Sequence, residues 1–96
     1  MAKNKKKKYV LRLFVAGLTP KSNKAINNVK KLCDKYIKED YDLEIIDIYQ
    51  HPELATTGQV IAAPTLIKEL PPPLKKFVGD MSAEDKILAG LYLKKE

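Results

Sequence analysis

The sequence predicts an α/β domain with element order βαβαββα, one sheet carrying helices on both faces. Three observations support this. Residues 8–15 and 41–49 are runs of β-branched, aliphatic and aromatic residues of strand length. Between them, apolar residues recur at steps of three and four, the spacing of one helical face. Pro64 then leads a further aliphatic run, and a residue without an amide hydrogen fits only the mouth of a strand.

In the first run, Tyr9-Val10-Leu11-Arg12-Leu13-Phe14-Val15, only Arg12 breaks the apolar pattern, which suits a strand covered on both faces. Gly17 and Pro20 end it. Ser22 is the expected N-cap of a helix reaching Lys38. Its apolar stripe is Ala25, Ile26, Val29, Leu32, Cys33, Tyr36 and Ile37, with lysines and Asp34 on the wet side. The second strand spans 41–49. Strand, helix and strand in this order form a βαβ unit with parallel pairing.

Pro52 and Glu53 open a short helix that Thr56, Thr57 and Gly58 cut off. Residues 65–70 form the third strand. Pro71-Pro72-Pro73 forces a break. Residues 74–78 return antiparallel as an edge strand, and Gly79-Asp80 turns the chain. Ser82 to Asp85 has the spacing of a capping box, so a last helix is expected from there. Ile87, Leu88, Leu91 and Tyr92 share one of its faces, while Gly90 costs about 1 kcal/mol relative to alanine. The segment 86–93 is equally rich in strand formers, so local propensity does not decide it.

A proline leading into a strand, beside the loop that ends strand one, is the layout of a thioredoxin-like site. The fold class is therefore α/β, thioredoxin-like. A thioredoxin-like oxidoreductase needs a thiolate at the helix N-terminus, where the dipole lowers its pKa. Here that loop reads Thr19-Pro20-Lys21-Ser22, with hydroxyls at both sulfur positions. The single cysteine, Cys33, excludes a Cys-x-x-Cys pair, an internal disulfide and a cysteine zinc site, and it reads as a core residue. His51 is the only histidine, and the carboxylates have no His or Cys neighbours with ligand spacing. No glycine-rich phosphate loop is present. We expect no enzyme activity, catalytic residue, cofactor or metal; the scaffold reads as a protein-binding module.

The chain has 96 residues and a net charge of +6, enough for a single domain over 1–96 with one modest core. Five of its lysines fall between Lys3 and Lys8. Without interleaved aromatics, 1–7 reads as a flexible, solvated basic arm and not as a nucleic-acid site. No run approaches the ~20 apolar residues of a membrane span, and the lysine-rich start is no secretory signal. The expected location is the cytoplasm, with no membrane or nucleic-acid partner.

The string Tyr9 to Gly17, followed by Thr19-Pro20 and Ser22, resembles the KaiB family of circadian clock proteins. The resemblance continues through Ile46-Asp47-Ile48, then Pro52, Leu54 and Ala55. It is densest at Ala63-Pro64-Thr65-Leu66, Leu70-Pro71, Pro73 and Val78-Gly79-Asp80 with Ser82, then at Lys86, Leu88, Gly90 and Leu91. It covers residues 8–93.

The resemblance implies a non-enzymatic regulator that binds a KaiC-type hexameric ATPase, with KaiA or a clock histidine kinase as further possible partners. It also implies metamorphism. One state is thioredoxin-like and monomeric; the ground state is βαββααβ and homotetrameric. Pro64, Pro71, Pro72, Pro73, Gly79, Gly90 and Tyr92 fall in the half that would switch. Tyr92 stands where the family carries an acidic residue. Beside Leu88 and Leu91 it extends an apolar helical face, which favours the thioredoxin-like state. Matching the family's basic surface are Arg12, Lys24, Lys68, Lys75 and Lys76, which as a group suit an acidic partner. The alternative is an adaptor or sensor-type domain related to clock histidine kinases, thioredoxin-like without switching.

Overall fold

The computed structural model describes residues 8–38, 40–58, 60 and 64–91. The basic arm at 1–7 and Tyr92 lie outside the described residues, so the expectations placed on them are not addressed by it. The elements follow the predicted order: β1 (Tyr9–Val15), α1 (Pro20–Tyr36), β2 (Tyr41–Asp47), α2 (Pro52–Thr57), β3 (Thr65–Leu70), β4 (Lys75–Val78) and α3 (Glu84–Gly90).

The strands form one sheet in the order β2-β1-β3-β4. β1 runs parallel to β2, with Leu11 opposite Leu43 and Leu13 opposite Ile45. β3 is antiparallel to both β1 and β4. Alternation along β1 divides its side chains between two layers. Tyr9, Leu11, Leu13 and Val15 pack with Leu66 of β3, with Ala25, Val29, Leu32 and Cys33 of α1, and with Ile87 and Leu88 of α3. This is the main core, and truncating one of its leucines to alanine would cost about 2–5 kcal/mol. The opposite layer is thinner. Phe14, Ile46 and Ile67 are its buried members, covered by Leu54 of α2 and by Ile48 and Val60. Arg12, the one charged residue of β1, faces this thinner layer, between Glu44 and Ile67 in register.

Three local expectations are corrected. Thr19, not Ser22, caps α1: its Oγ1 accepts from the Ser22 amide at 3.1 Å. Pro20 can then occupy the first helical turn, where its missing amide costs nothing. β2 stops at Asp47 because Asp47 Oδ1 takes the Gly17 amide at 3.1 Å and the Tyr49 amide at 2.9 Å, bending the chain before Ile48. The expected capping box does not open α3. Ala83 precedes that helix and gives no side-chain cap, while the Ser82 amide donates to Asp80 Oδ1 at 3.0 Å.

The polyproline break holds Leu70–Pro71 and Pro72–Pro73 as cis peptides between β3 and β4. The Pro64 carbonyl accepts from the Gly79 amide at 3.0 Å, closing the far end of the same hairpin. Gly79 sits at φ +123°, a backbone conformation that L side chains rarely adopt.

Candidate partner-binding surface

The loop after β1 is where a thioredoxin-like protein would keep its chemistry. Here Thr19 and Ser22 take the two positions three residues apart. The Thr19 hydroxyl donates to Ser22 Oγ at 3.1 Å. Ser22 is buried in the first turn of α1. With its Oγ receiving this bond and its amide bound to Thr19, it closes the helix end; it offers no nucleophile. Cys33 lies about three turns further on, inside the core. Burial, reinforced by the negative charge of Asp34, pushes its thiol from 9.0 up to about 12. A thiol in that state carries almost no thiolate near neutral pH. No group of three or more His, Cys, Asp or Glu residues able to hold a metal occurs among the described residues.

Around the emptied loop the surface is apolar. Leu18 is 80% exposed, Tyr49 73% and Val78 69%. The Tyr49 ring lies 3.5 Å from where a side chain on Gly17 would begin. These residues were not singled out from the sequence. The available signal was position: Leu18 stands between a turn glycine and the Thr19-Pro20 helix start, where no element can bury it.

The structure splits the predicted basic residues between locations. Arg12 and Lys76 share the thinner face and flank Ile67 in one cross-strand row. Arg12 Nε is 3.3 Å from Glu69 and 3.6 Å from Glu44. Lys75 and Lys76 are exposed on β4, the sheet edge. Lys24 projects from α1 on the other side and meets Asp80 at 3.4 Å. Hydrogen bonds from Ser82 hold Asp80 below the usual carboxylate range, and Lys24 adds to this. Lys68 departs most from expectation. It is fully buried, at 0% exposure, beside its cross-strand partner Lys75. Desolvation, then the charge of Lys75, lowers its pKa from 10.5. The acidic partners Glu44 and Glu69 were also missed, because cross-strand neighbours follow from register and not from sequence distance, and so was the pairing of Asp80, in the turn after β4, with Lys24 of α1.

The backbone positions expected to matter sort in the same way. Pro64 and Gly79 close one end of the β3–β4 hairpin, and Pro71 to Pro73 form the other. Gly90 faces the Phe77 ring, which occupies the space a Cβ would need.

A mixed sheet of this order, a capped helix where the redox loop would be and hydroxyls in place of both sulfurs define a thioredoxin-like protein whose redox positions carry no thiols. Solved structures agree with the fold. The N-terminal domain of Synechococcus elongatus SasA aligns at TM-score 0.74, with 22% identity, over 88% of this chain and 80% of that one. Mitochondrial thioredoxin 3 from Saccharomyces cerevisiae aligns at TM-score 0.72, with 20% identity, over 92% and 80%.

The sequence decides the family. The KaiB domain model matches residues 12–93. The circadian clock oscillator protein KaiB of Picosynechococcus sp. is 47% identical over 88 residues, 92% of this chain and 85% of that protein. The KaiB of Rippkaea orientalis is 46% identical over 90 residues, 94% and 86%. The chain belongs to the KaiB family.

Proposed function

We propose that this protein is a non-enzymatic KaiB-type regulator that binds a KaiC-type hexameric ATPase in its thioredoxin-like state. The observation that carries this reading is 46–47% identity to KaiB clock proteins across more than nine-tenths of the chain. The thiol-free helix start and the exposed Leu18, Tyr49 and Val78 support a binding role over a redox one. In this reading the protein acts in the cytoplasm as a single domain, and the exposed Lys24, Lys75 and Lys76, with the half-buried Arg12, steer it to an acidic surface. Lys68 supports that surface from beneath. The partner set extends to KaiA or a clock histidine kinase. The alternative packing is the βαββααβ homotetramer, and the segment from Pro64 through Tyr92 repacks on switching; two packings of one sequence need differ by only a few kcal/mol. Capture of the cognate ATPase ring from solution, with ATP and with ADP, tests the proposal. Retention of the ring in either state supports it, and failure in both overturns it.

A second reading is favoured by the fold of the described residues, which is already thioredoxin-like throughout. In it the protein is a constitutive adaptor or sensor-type domain with no second state. One set of backbone amide signals, free of exchange at every concentration, selects this reading; a second, concentration-dependent set selects the switching one.

A further inference from the structure

β4 is an edge strand. Its four residues pair with β3 on one side, and among the described residues no strand pairs with the other. An edge exposes backbone donors and acceptors that another chain can complete. Two cavities flank it. On the thinner face, a cavity of about 230 Å³ has Phe14, Leu54, Ile67 and Leu74 for walls and Lys76 at its rim. On the opposite side, a cavity of about 300 Å³ is lined by Phe77, Met81, Lys86 and Ile87, again with Lys76. The two therefore meet at one residue of the edge strand. Lys75 and Lys76 are exposed there, and Leu74 and Val78 bracket them with exposed apolar surface.

We infer that the β4 edge accepts an extended acidic segment of a partner protein as a fifth strand, its carboxylates facing Lys75, Lys76 and Lys86 and its apolar side chains entering the two cavities. Strand addition works in this way: main-chain hydrogen bonds give affinity, and pockets for alternate side chains give specificity. Side chains of an added strand point alternately to the two faces, and here each face offers a cavity. Charge decides the kind of occupant. Lys76 and Lys86 with Arg12 line the two cavities against Glu69 and Asp80, and the exposed Lys75 adds to the positive side, so a basic segment is disfavoured, as is a second copy of this equally basic edge. The inference rests on the reading of this chain as a binding module, not on the identity of the ATPase.

The test uses the full chain and three capped octapeptides. One repeats Leu-Leu-Glu-Glu, so that each face of the added strand presents both residue types, one replaces each glutamate with lysine, and one is the glutamate peptide N-methylated at alternate residues along one edge. Fluorescence anisotropy measures binding, and backbone amide shifts locate it. The expected result is saturable binding of the glutamate peptide with shifts centred on residues 74–79, weakened about tenfold or more by N-methylation or by Lys75→Glu with Lys76→Glu. Lys75→Gln with Lys76→Gln should fall between and guards against misfolding of the charge-reversed chain. No binding, undiminished binding of the N-methylated peptide, equal binding of the lysine peptide, or shifts centred on β2 would each overturn the inference. If the peptide fails while the ATPase ring is still captured, the edge assignment falls and the family function stands.

Discussion

The ring of Phe77, on β4, fills the space in which a side chain on Gly90, in α3, would begin. The residue that weakens the last helix by propensity is thus the one that lets the helix approach the sheet edge. Alanine at position 90 gains about 1 kcal/mol of helix propensity but must displace an aromatic ring, which costs about 1–3 kcal/mol. Gly90→Ala should lower stability by about 1 kcal/mol in urea unfolding, against the propensity rule. Phe77→Leu combined with it should recover part of the loss, because the two sites share one space. A stabilised Gly90→Ala would show that α3 does not pack in this way.

Thr19 and Ser22 place their hydroxyl oxygens 3.1 Å apart. The scaffold therefore keeps the spacing of a dithiol site while lacking the sulfurs. Thr19→Cys with Ser22→Cys should close a disulfide on mild oxidation, seen as loss of two titratable thiols with Cys33 still reduced. The sulfur at position 19 should react faster than the one at position 22, since the helix start lowers its pKa and position 22 is buried. Persistence of both thiols under oxidant would show that the loop has lost the spacing.

Cys33 contributes a pH dependence whose sign is fixed by its raised pKa. The folded thiol stays protonated to about 12, whereas the unfolded one ionises near 9.0. Between those values the unfolded chain holds fewer protons, so stability falls as pH rises through that window. Cys33→Ala should flatten the loss between pH 9 and 10. In the native protein at pH 8, a thiol reagent should modify Cys33 only as fast as the core opens, and adding denaturant should raise the rate by orders of magnitude.

Lys68 acts in the opposite sense. Its folded pKa lies below 10.5, so below the window the fold carries a buried ammonium, and stability rises with pH toward 10.5. Lys68→Met should raise the unfolding free energy at pH 7 by about 1 kcal/mol, and the gain should shrink as pH approaches 10. A loss of stability at pH 7 would mean that the contacts of the Lys68 amine outweigh its desolvation.

Most of the architecture was legible because hydrophobic period carries it. The α1 stripe from Ala25 to Cys33 and the runs at 9–15 and 65–70 each fix an element and its buried face. Pro52, Pro64 and the triple proline fixed the boundaries, since proline restricts backbone and hydrogen bonding wherever it sits. What escaped depended on three-dimensional neighbours. Ser22 looked like a cap, but a proline at the preceding turn moved that role to Thr19. Lys68 looked like surface, because no local pattern reveals that β3 lies inside the sheet between β1 and β4. The pairing of Arg12 with Glu44 and Glu69 depends on strand register, as does the joining of the two cavities at Lys76. The empty redox site was visible in full, because it is a matter of residue type at two positions.

This thioredoxin-like protein, with hydroxyls in place of both redox sulfurs, is proposed to engage a KaiC-type ATPase ring. Sedimentation velocity of the labelled full chain with the cognate hexamer, in ATP and in ADP, measures it most directly. The account predicts co-sedimentation of the chain with the ring in at least one nucleotide state, weakened by Lys75→Glu with Lys76→Glu. A chain that sediments alone in both nucleotide states, at concentrations up to tens of micromolar, would contradict it.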